Sequence, residues 1–452
     1  MNKNNLLELE QESIGKLLWK YSIPAVIGTL VIATYNIIDR IFIGQGVGAE
    51  AIAGLAVTFP LMNISAALGM LIGVGAAARI SIALGEKSNR LAETILGNSL
   101  VMILLIGIAY TMLFLCNLED ILRLFGASDA TLPYAYEYTL YYSPGFLIAN
   151  LTYSFNNAMG ASGYPKKAMV TMIIGAVLNT ILDPIFIFWL DMGVKGAAIA
   201  TDISMFVSMC FVFIHLMNKK SNLYFSRGTF KLHRNLIFAI ISIGTAPFVI
   251  NIAGSFINAF LNNILVTQGG DNAVGAAGIF TTYTQLLIMA VMGVSQGMQP
   301  ILGYNYGAKR IHRLKATFKL GVIVSTLICA VGALIAIFIP QIVAYMFTTD
   351  AGLIHETCTA LRISMLMFWM AGFHIVATTL FQSIGLAKES ILLSFARQAI
   401  FIIPLLLIFP HYWGLTGAWV AFPVSDIFVS AVALYLVIRE YKYLNTVTTA
   451  KN

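Results

Sequence analysis

The chain has 452 residues, of which 59% are hydrophobic and only 10% are charged, and its formal net charge is +7. Soluble domains are about 25% charged, so this composition excludes a soluble protein and indicates one that resides in a bilayer. The apolar runs reach about 20 residues, the length at which a helix crosses a membrane, and they do not alternate as the strands of a membrane barrel do. The expected fold class is therefore an all-α integral membrane protein.

Polar breaks that are rich in glycine, proline and charged residues divide the chain into twelve apolar segments, which predict twelve transmembrane helices. The predicted limits, in chain order, are 17–44, 51–80, 91–117, 134–158, 166–190, 194–217, 234–266, 274–303, 314–347, 356–384, 389–409 and 413–439. Several segments are longer than a bilayer requires, so we expect tilted helices or helices that extend beyond the membrane.

Basic residues concentrate on alternate connections between the predicted spans. They follow spans two, four, eight and ten, flank both ends of the chain and recur between spans six and seven, whereas the opposite connections are mainly acidic. By the positive-inside rule, both termini and the connection after span six lie in the cytoplasm. This membrane face accounts for the net positive charge, so we expect no nucleic-acid partner.

The two halves of the chain repeat each other at a nearly constant offset. SIPAVIG around Pro24 matches TAPFVIN around Pro247, LGEKSNRLAETI returns as YGAKRIHRLKATF, and MGVKGAAIA returns as WGLTGAWVA. We therefore predict an N-lobe over 1–217, a cytoplasmic linker over 218–233 and a C-lobe over 234–452. Each half contains six predicted spans, an even number, so both halves enter the membrane from the same side. A parallel repeat of two six-helix bundles, related by a pseudo-twofold axis along the membrane normal, is typical of alternating-access carriers.

Two of the predicted spans carry carboxylates among apolar residues. A charged residue at the centre of a transmembrane helix costs roughly 2.5–3.5 kcal/mol, so we expect Asp39 in span one to serve a function. In span five, Asn179 and Asp183 are four residues apart and share one helical face. Pro184 follows directly and cannot donate a hydrogen bond to the carbonyl of Thr180, which leaves that oxygen available to a polar cavity.

Three motifs carry a resemblance to a known family. YNIIDRIFIG in span one, LNTILDPIFIF in span five and GVSQGMQPILGYNYGAKR leaving span eight resemble the multidrug and toxic compound extrusion family. They look closest to its prokaryotic branch, whose ion-coupling carboxylates lie in the N-lobe. The resemblance implies an antiporter of the bacterial inner membrane that exports amphipathic, often cationic drugs in exchange for protons or sodium ions. It further implies drugs and lipid as partners, no cofactor, function as a monomer and a contribution to antibiotic resistance.

The resemblance also assigns ion coupling to particular residues. The coupling aspartate of the family falls on Asp39, its span-five pair on Asn179 and Asp183, its span-six threonine on Thr201 and its span-four tyrosine on Tyr138. If these spans converge, two carboxylates, an amide oxygen and a hydroxyl surround one small space. Hard cations prefer such oxygen ligands, and two confined carboxylates also bind a proton as a coupled pair. The coupling ion stays open between a proton and sodium. Asp39, Asn179, Asp183 and Thr201 are metal ligands only if the ion is sodium.

Further residues have less definite roles. Tyr35, Asn156, Asn157 and Met172 are the predicted drug contacts, because they lie near the coupling helices. The roles of other polar residues within the spans stay open between packing, cavity lining and auxiliary proton binding; they are Asp202, Arg362, Arg397 and Asp426.

Two alternatives to drug export come from other functional classes. A flippase of the same superfamily would move a lipid-linked sugar and would require a basic cleft for its pyrophosphate, for which the three arginines Arg40, Arg362 and Arg397 are the candidates. An integral-membrane transferase would require clustered histidine and acidic residues at a membrane surface, whereas the six histidines of this chain are scattered. No phosphate-binding loop is present in the sequence, so we expect an ion gradient rather than ATP to drive transport.

Overall fold

A computed structural model describes residues 4–449, except for the side chains of residues 4, 5, 49, 255, 256, 258, 259, 262, 263, 271 and 447–449. All regular structure in the described range is helical. The helices are α1 (Asn4–Gln11), α2 (Ile14–Gly46), α3 (Ala49–Gly85), α4 (Asn89–Cys116), α5 (Leu118–Leu124), α6 (Leu132–Ala161), α7 (Pro165–Pro184), α8 (Gly193–Met217), α9 (Arg234–Gly307), α10 (Ile311–Phe338), α11 (Pro340–Tyr345), α12 (Ala351–Ser364), α13 (Trp369–Ser383), α14 (Ala387–Phe395) and α15 (Ile403–Thr449). Two π-helical turns, Ile185–Trp189 and Ala396–Ile402, follow α7 and α14.

Nine helical segments of the described chain are long and apolar enough to cross a membrane. The pair α12 and α13, bent by 57°, makes a tenth if it is one span. The segment Ala387–Thr446 counts once although its 60 residues exceed one crossing and a non-helical residue, Gly414, interrupts it. Helix α6 is 30 residues long, but it is rich in tyrosine and asparagine and is not among the nine. The all-α membrane fold is thus confirmed, whereas the count of twelve spans stays a prediction.

The helices form two compact units. The first comprises residues 4–12 and 27–248, and the second comprises residues 13–26 and 249–449. Helix α2 therefore contributes its first residues to the second unit and the remainder to the first. The lobes and linker expected from the repeat, 1–217, 218–233 and 234–452, stay a prediction.

Small residues allow close packing inside the first unit. Two glycines of α3 pack directly against α6. A Cβ added to Gly69 would overlap with Asn150, and one added to Gly73 would overlap with Ser154. The hydroxyl of Ser154 donates to the carbonyl of Gly69 at 3.2 Å, and the amide of Asn150 donates to the hydroxyl of Ser65 at 3.2 Å. Such glycine contacts and interhelical hydrogen bonds hold helices together where lipid replaces water. They fix α6, which carries Tyr138, against α3.

The outer surface of the described helices is apolar. Large hydrophobic side chains that are more than half exposed occur in both units, among them Leu113, Ile214, Phe238, Leu327 and Phe338. A soluble protein rarely exposes such extensive apolar area, whereas lipid solvates these side chains without cost. The surface therefore agrees with the composition in placing the helices in a bilayer.

The segment 218–233 is tied to the start of α4 by one buried asparagine. The amide nitrogen of Asn98 donates to the carbonyls of Thr229 and Lys231 at 3.1 and 3.0 Å, and its oxygen accepts from the backbone N–H of His233 at 2.8 Å. Asn98 is fully buried, so it satisfies backbone groups that would otherwise lie buried without partners.

We predict that Asn98→Ala loosens the segment 218–233. The loss of three hydrogen bonds to the backbone of this segment should lower the free energy of unfolding by about 1–3 kcal/mol, measured as a fall in the thermal midpoint of the purified protein in detergent. Trypsin should cut the segment faster than in the wild type. Asn117→Ala is the matched control, because the side chain of the exposed Asn117 bonds only to the carbonyl of Leu113 in the last turn of the preceding helix α4. Equal cleavage rates in both variants would contradict this role of Asn98.

Candidate functional site

The end of α7 departs from regular α-helical hydrogen bonding. Pro184, its last residue, has no N–H to offer to the carbonyl of Thr180. The chain continues as the π-helical turn Ile185–Trp189, and the N–H of Leu190 returns to the carbonyl of Ile185 at 2.9 Å. Single π turns inside helices are frequent at functional sites. Asp183 directly precedes Pro184 and is completely buried.

Three of the predicted coupling residues form one hydrogen-bonded group. The amide nitrogen of Asn179 donates to Oδ1 of Asp183 at 3.0 Å and to the hydroxyl oxygen of Thr201 at 3.2 Å. The Thr201 hydroxyl donates in turn to the carbonyl of Ala197 at 2.9 Å. Oδ1 of Asp183 and the hydroxyl oxygen of Thr201 both accept hydrogen bonds from the Asn179 nitrogen. This requirement fixes the orientation of the amide, so its oxygen points away from both acceptors.

Asp39 of α2 joins this group. Its carboxyl lies within hydrogen-bonding range of the carboxyl of Asp183. Three buried oxygens, Oδ1 of Asp39, Oδ2 of Asp183 and Oδ1 of Asn179, have no hydrogen-bond partner among the described residues. Two carboxyl groups at this range cannot both stay ionised without a positive charge between them. We define these four residues (Asp39, Asn179, Asp183 and Thr201) as the carboxyl cluster.

The neighbouring arginine does not supply the positive charge. The Arg40 guanidinium lies over the ring of Phe59, 4.6 Å from its centroid, and the residue is exposed. Within the part of the chain that the structure describes, Arg40 and Asp39 form no ion pair. This arrangement matches an anchor that points away from the carboxyl cluster, because long basic side chains bury their stem and keep the charge outside.

The donor atoms of the carboxyl cluster suit a small hard cation or a proton. Across the described chain, no three His, Cys, Asp or Glu side chains come together as they would in a transition-metal site. The carboxyl cluster offers oxygen atoms only, from two carboxylates, an amide and a hydroxyl. Soft metals prefer thiolate or imidazole ligands, whereas carboxylate and carbonyl oxygens suit hard cations.

The fifth predicted coupling residue, Tyr138, borders the carboxyl cluster. It is buried, and its ring stacks on that of Tyr142 with 5.7 Å between centroids. It lies within electrostatic range of Asp39 and of Asp202. Tyr138 therefore lies near both the carboxyl cluster and a third acidic residue, Asp202.

The surroundings of Asp202 could not be predicted from the sequence. Its carboxyl packs against the backbone of Gly145 in α6, where an added Cβ would overlap with Oδ1. That oxygen is buried and has no hydrogen-bond partner among the described residues. Asp202 follows Thr201 directly, so the two side chains point about 100° apart on α8. The only sequence signal for this contact is a glycine directly after Pro144 in the middle of a span.

The predicted drug contacts lie at several places in the first unit. Met172 of α7 packs with its sulfur against Gly28 of α2. Tyr35, two turns further along α2, lies within electrostatic range of Asp39 and Asp183. Asn156 is buried and its side-chain oxygen has no partner among the described residues. Asn157 donates its amide to the carbonyl of Tyr153 at 2.8 Å, within its own helix. Their contact with drugs stays a prediction.

Comparison with known families and proteins gives matches over the whole chain. The MatE family profile matches twice, at residues 24–185 and 247–408. The chain is similar to "Multidrug export protein MepA" of Staphylococcus haemolyticus, with 27% identity over 453 residues that cover 100% of this chain and 98% of the relative. It is also similar to the protein of that name from Staphylococcus aureus, with 28% identity over 440 residues, 97% of this chain and 96% of the relative.

Solved structures of the same fold cover nearly all of the chain. A MATE protein crystallised in the bent conformation has a TM-score of 0.93 at 26% identity and covers 99% of this chain and 100% of its own. A multidrug resistance MATE family transporter of the MOP superfamily, in the outward-facing conformation, has a TM-score of 0.90 at 28% identity, covering 97% and 98%. The two family matches divide the chain as the sequence repeat does.

We predict that Gly145→Ala displaces the Asp202 carboxyl and lowers stability. Overpacking typically costs about 1–3 kcal/mol, which should lower the thermal midpoint in detergent. In an Asp202→Ala background the same glycine change should cost less, because the overlapping atom is gone. Gly160→Ala is the control on the same helix, since nothing lies within 4 Å of its added Cβ. An identical cost of Gly145→Ala in both backgrounds would show that the contact does not exist.

Proposed function

The chain belongs to the MatE family of membrane transporters, and we propose that it is an efflux antiporter that exports amphipathic, often cationic compounds in exchange for protons or sodium ions. It is a transporter and not an enzyme. The names of its MepA relatives support multidrug export as its activity. The proposal includes a location in the bacterial inner membrane with both termini in the cytoplasm, and function as a monomer.

The observation that carries this proposal is the facing pair of carboxyl groups on the half-buried Asp39 and the fully buried Asp183, each with an unpartnered buried oxygen. Both carboxylates ionised in a space without water would be strongly destabilising, because like charges repel and burial penalises each charge. A bound cation removes both penalties. The conformation that buries the pair is therefore favoured when a cation is bound, and the conformation that hydrates the pair is favoured when it is not.

Proton and sodium place different demands on the same oxygens. A proton needs only the two facing carboxyl groups, which share it as a coupled pair. Sodium needs several oxygen ligands, and the unpartnered oxygens of Asp39 and Asp183 supply two. The amide of Asn179 faces Asp183 and Thr201 with its nitrogen, so its oxygen becomes a ligand only if the side chain turns. The hydroxyl of Thr201 already donates to one group and accepts from another, so it retains one lone pair for a cation. Both ions fit the proposal.

Drug release follows from the position of these groups on α2. Asp39 and Tyr35 are one turn apart on this helix, and Gly28, which meets Met172, lies two turns before Tyr35. A change in charge at Asp39 therefore acts on the helix that carries the predicted drug-contacting surface. Cation and drug need only differ in their affinity for the two conformations for one to drive the other.

The surroundings of the intramembrane arginines favour drug export over the flippase alternative. Arg40 is exposed and stacks on Phe59, Arg362 is exposed, and Arg397 faces Asp426 with 3.7 Å between Nε and Oδ1. The surroundings of the three arginines thus differ from one another. A pyrophosphate cleft would require cations that converge on one anion without an acidic neighbour.

We predict that Asp39→Asn and Asp183→Asn each abolish drug export, because an amide cannot take up and release a cation as a carboxylate does. Ethidium efflux from cells that lack other exporters measures the effect, with the amount of each variant in the membrane determined by immunoblot. Asp120→Asn is the matched control, since Asp120 is an exposed carboxylate of α5. Normal efflux by a well-expressed Asp39→Asn or Asp183→Asn variant would refute the role of the pair.

The coupling ion can be identified in inverted membrane vesicles. Ethidium uptake is measured after the proton gradient is dissipated with the sodium gradient held in place, and again with the two treatments reversed. Uptake should stop in one of these two experiments. The gradient whose loss stops uptake belongs to the coupling ion. Vesicles with Asp39→Asn give the uncoupled baseline. Uptake that continues after both gradients are removed would refute antiport.

A further inference from the structure

Four lysines lie together at one corner of the first unit, where α7 begins and α8 ends. Lys166 and Lys167 belong to the first turn of α7, and Lys219 and Lys220 come just after Met217, the last residue of α8. We call these four lysines the basic surface. All four are exposed, and none of them forms an ion pair among the described residues. The basic surface therefore carries a concentrated positive charge.

Contacts between the two helices hold the basic surface together. The ammonium of Lys167 donates to Nδ1 of His215 in α8 at 3.0 Å, and it lies 5.2 Å from the centroid of the Tyr164 ring. The turn after α8 is tied to the start of α7 by Asn222. This residue donates its side-chain amide to the carbonyl of Ser162 at 3.0 Å and its backbone N–H to the Tyr164 hydroxyl at 3.3 Å. The fold itself thus brings the four charges to one corner.

Within α7 and α8, no acidic residue lies near these charges. The first carboxylate after Lys167 is Asp183, and the last one before Lys219 is Asp202, each roughly four to five helical turns away. The start of α7 adds to the positive potential, because its cap residue Tyr164 makes no side-chain hydrogen bond and the first N–H groups of a helix carry partial positive charge. Like charges that are held together repel one another, so a bound anion stabilises this corner.

The matching corner of the second unit has a different charge balance. The repeat matches ASGYPKK with SIGLAKE, so Lys167 corresponds to Glu389. Glu389 accepts a hydrogen bond from Arg439 of α15 at 2.6 Å and lies within electrostatic range of Glu440. Charges of both signs therefore meet at this corner. The positive-inside rule would place basic residues at both corners alike, so it does not explain why they accumulate in the first unit.

An exposed apolar face of α7 begins at the basic surface. Val170, Val177 and Ile181 are exposed and share one face of the helix. Lys166 starts this face, because it lies four residues before Val170. On α8, Met217 is 68% exposed just before the second pair of lysines. An anionic phospholipid matches both parts of this corner, since its acyl chains lie along apolar side chains and its phosphate meets lysines at the membrane surface.

We propose that the basic surface binds the phosphate headgroup of an anionic phospholipid, whose acyl chains lie on the apolar face of α7. In the orientation proposed above, this lipid belongs to the cytoplasmic leaflet. Clusters of about four to eight basic residues beside a membrane span attract anionic lipids, and each residue contributes about a fivefold factor in affinity. The bound lipid anchors the start of the helix that carries Asn179 and Asp183. Its binding does not depend on drug export.

Lipid binding to the purified protein in neutral detergent tests the proposal. Native mass spectrometry gives the affinities for phosphatidylglycerol and for phosphatidylcholine with the same acyl chains. We expect the wild type to prefer phosphatidylglycerol by more than about tenfold. Lys166→Gln combined with Lys220→Gln removes one charge from each lysine pair. It should lower the affinity for phosphatidylglycerol about 5–25-fold and leave that for phosphatidylcholine unchanged. Lys166→Arg combined with Lys220→Arg should keep the wild-type preference, because the charges remain.

Lys388→Gln combined with Lys442→Gln is the matched control, because it removes the same charge from exposed lysines of the second unit, where Glu389 pairs with Arg439. It should keep the wild-type preference. Equal binding of the two lipids by the wild type, or an equal loss of preference in both glutamine pairs, would overturn the proposal. Displacement of the bound lipid by glycerol phosphate at equal concentration would overturn it too, because a free phosphate would then suffice without acyl chains.

Discussion

The carboxyl cluster of the first unit is governed by one constraint, the repulsion between two carboxyl groups that face each other with little access to water. Asp39 and Asp183 lie on different helices, so folding forces them together although electrostatics opposes it. Asn179 reduces the cost at one oxygen of Asp183, and the remaining oxygens are left for a cation. A site that is incomplete without a positive charge has a stability that depends on ion concentration, and the proposed antiport would use this dependence.

The two units solve the problem of buried charge in opposite ways. In the first unit, Asp39 and Asp183 face each other without a basic side chain paired to them, since Arg40 stacks on Phe59 instead. In the second, Asp426 faces Arg397 and the local charge is balanced. The two halves, which repeat each other in sequence, have thus diverged in how their buried charges are paired.

The sequence predicted those features that are local or motif-based. Long apolar runs predict membrane helices because lipid leaves the backbone no alternative, and the family motifs located the carboxyl cluster. Contacts between distant segments were not predictable, since Gly145 against Asp202 and Arg397 against Asp426 depend on the rotation of packed helices. Breaks were also missed, because the predicted span 314–347 runs through Pro340, where α10 has ended and the short α11 begins.

Helix α2 shows why a local charge can have a global effect. It is one continuous helix, yet residues 13–26 belong to the second unit and residues from 27 onward to the first, which includes Asp39. A helix has few ways to absorb a change at one end, since its hydrogen bonds are local and stiff. Pro24 removes one of these hydrogen bonds close to the division between the units. Under the proposed antiport, neutralising Asp39 changes which position of this helix is favoured. Cation and drug are then coupled because each prefers one position of a helix to which both units contribute.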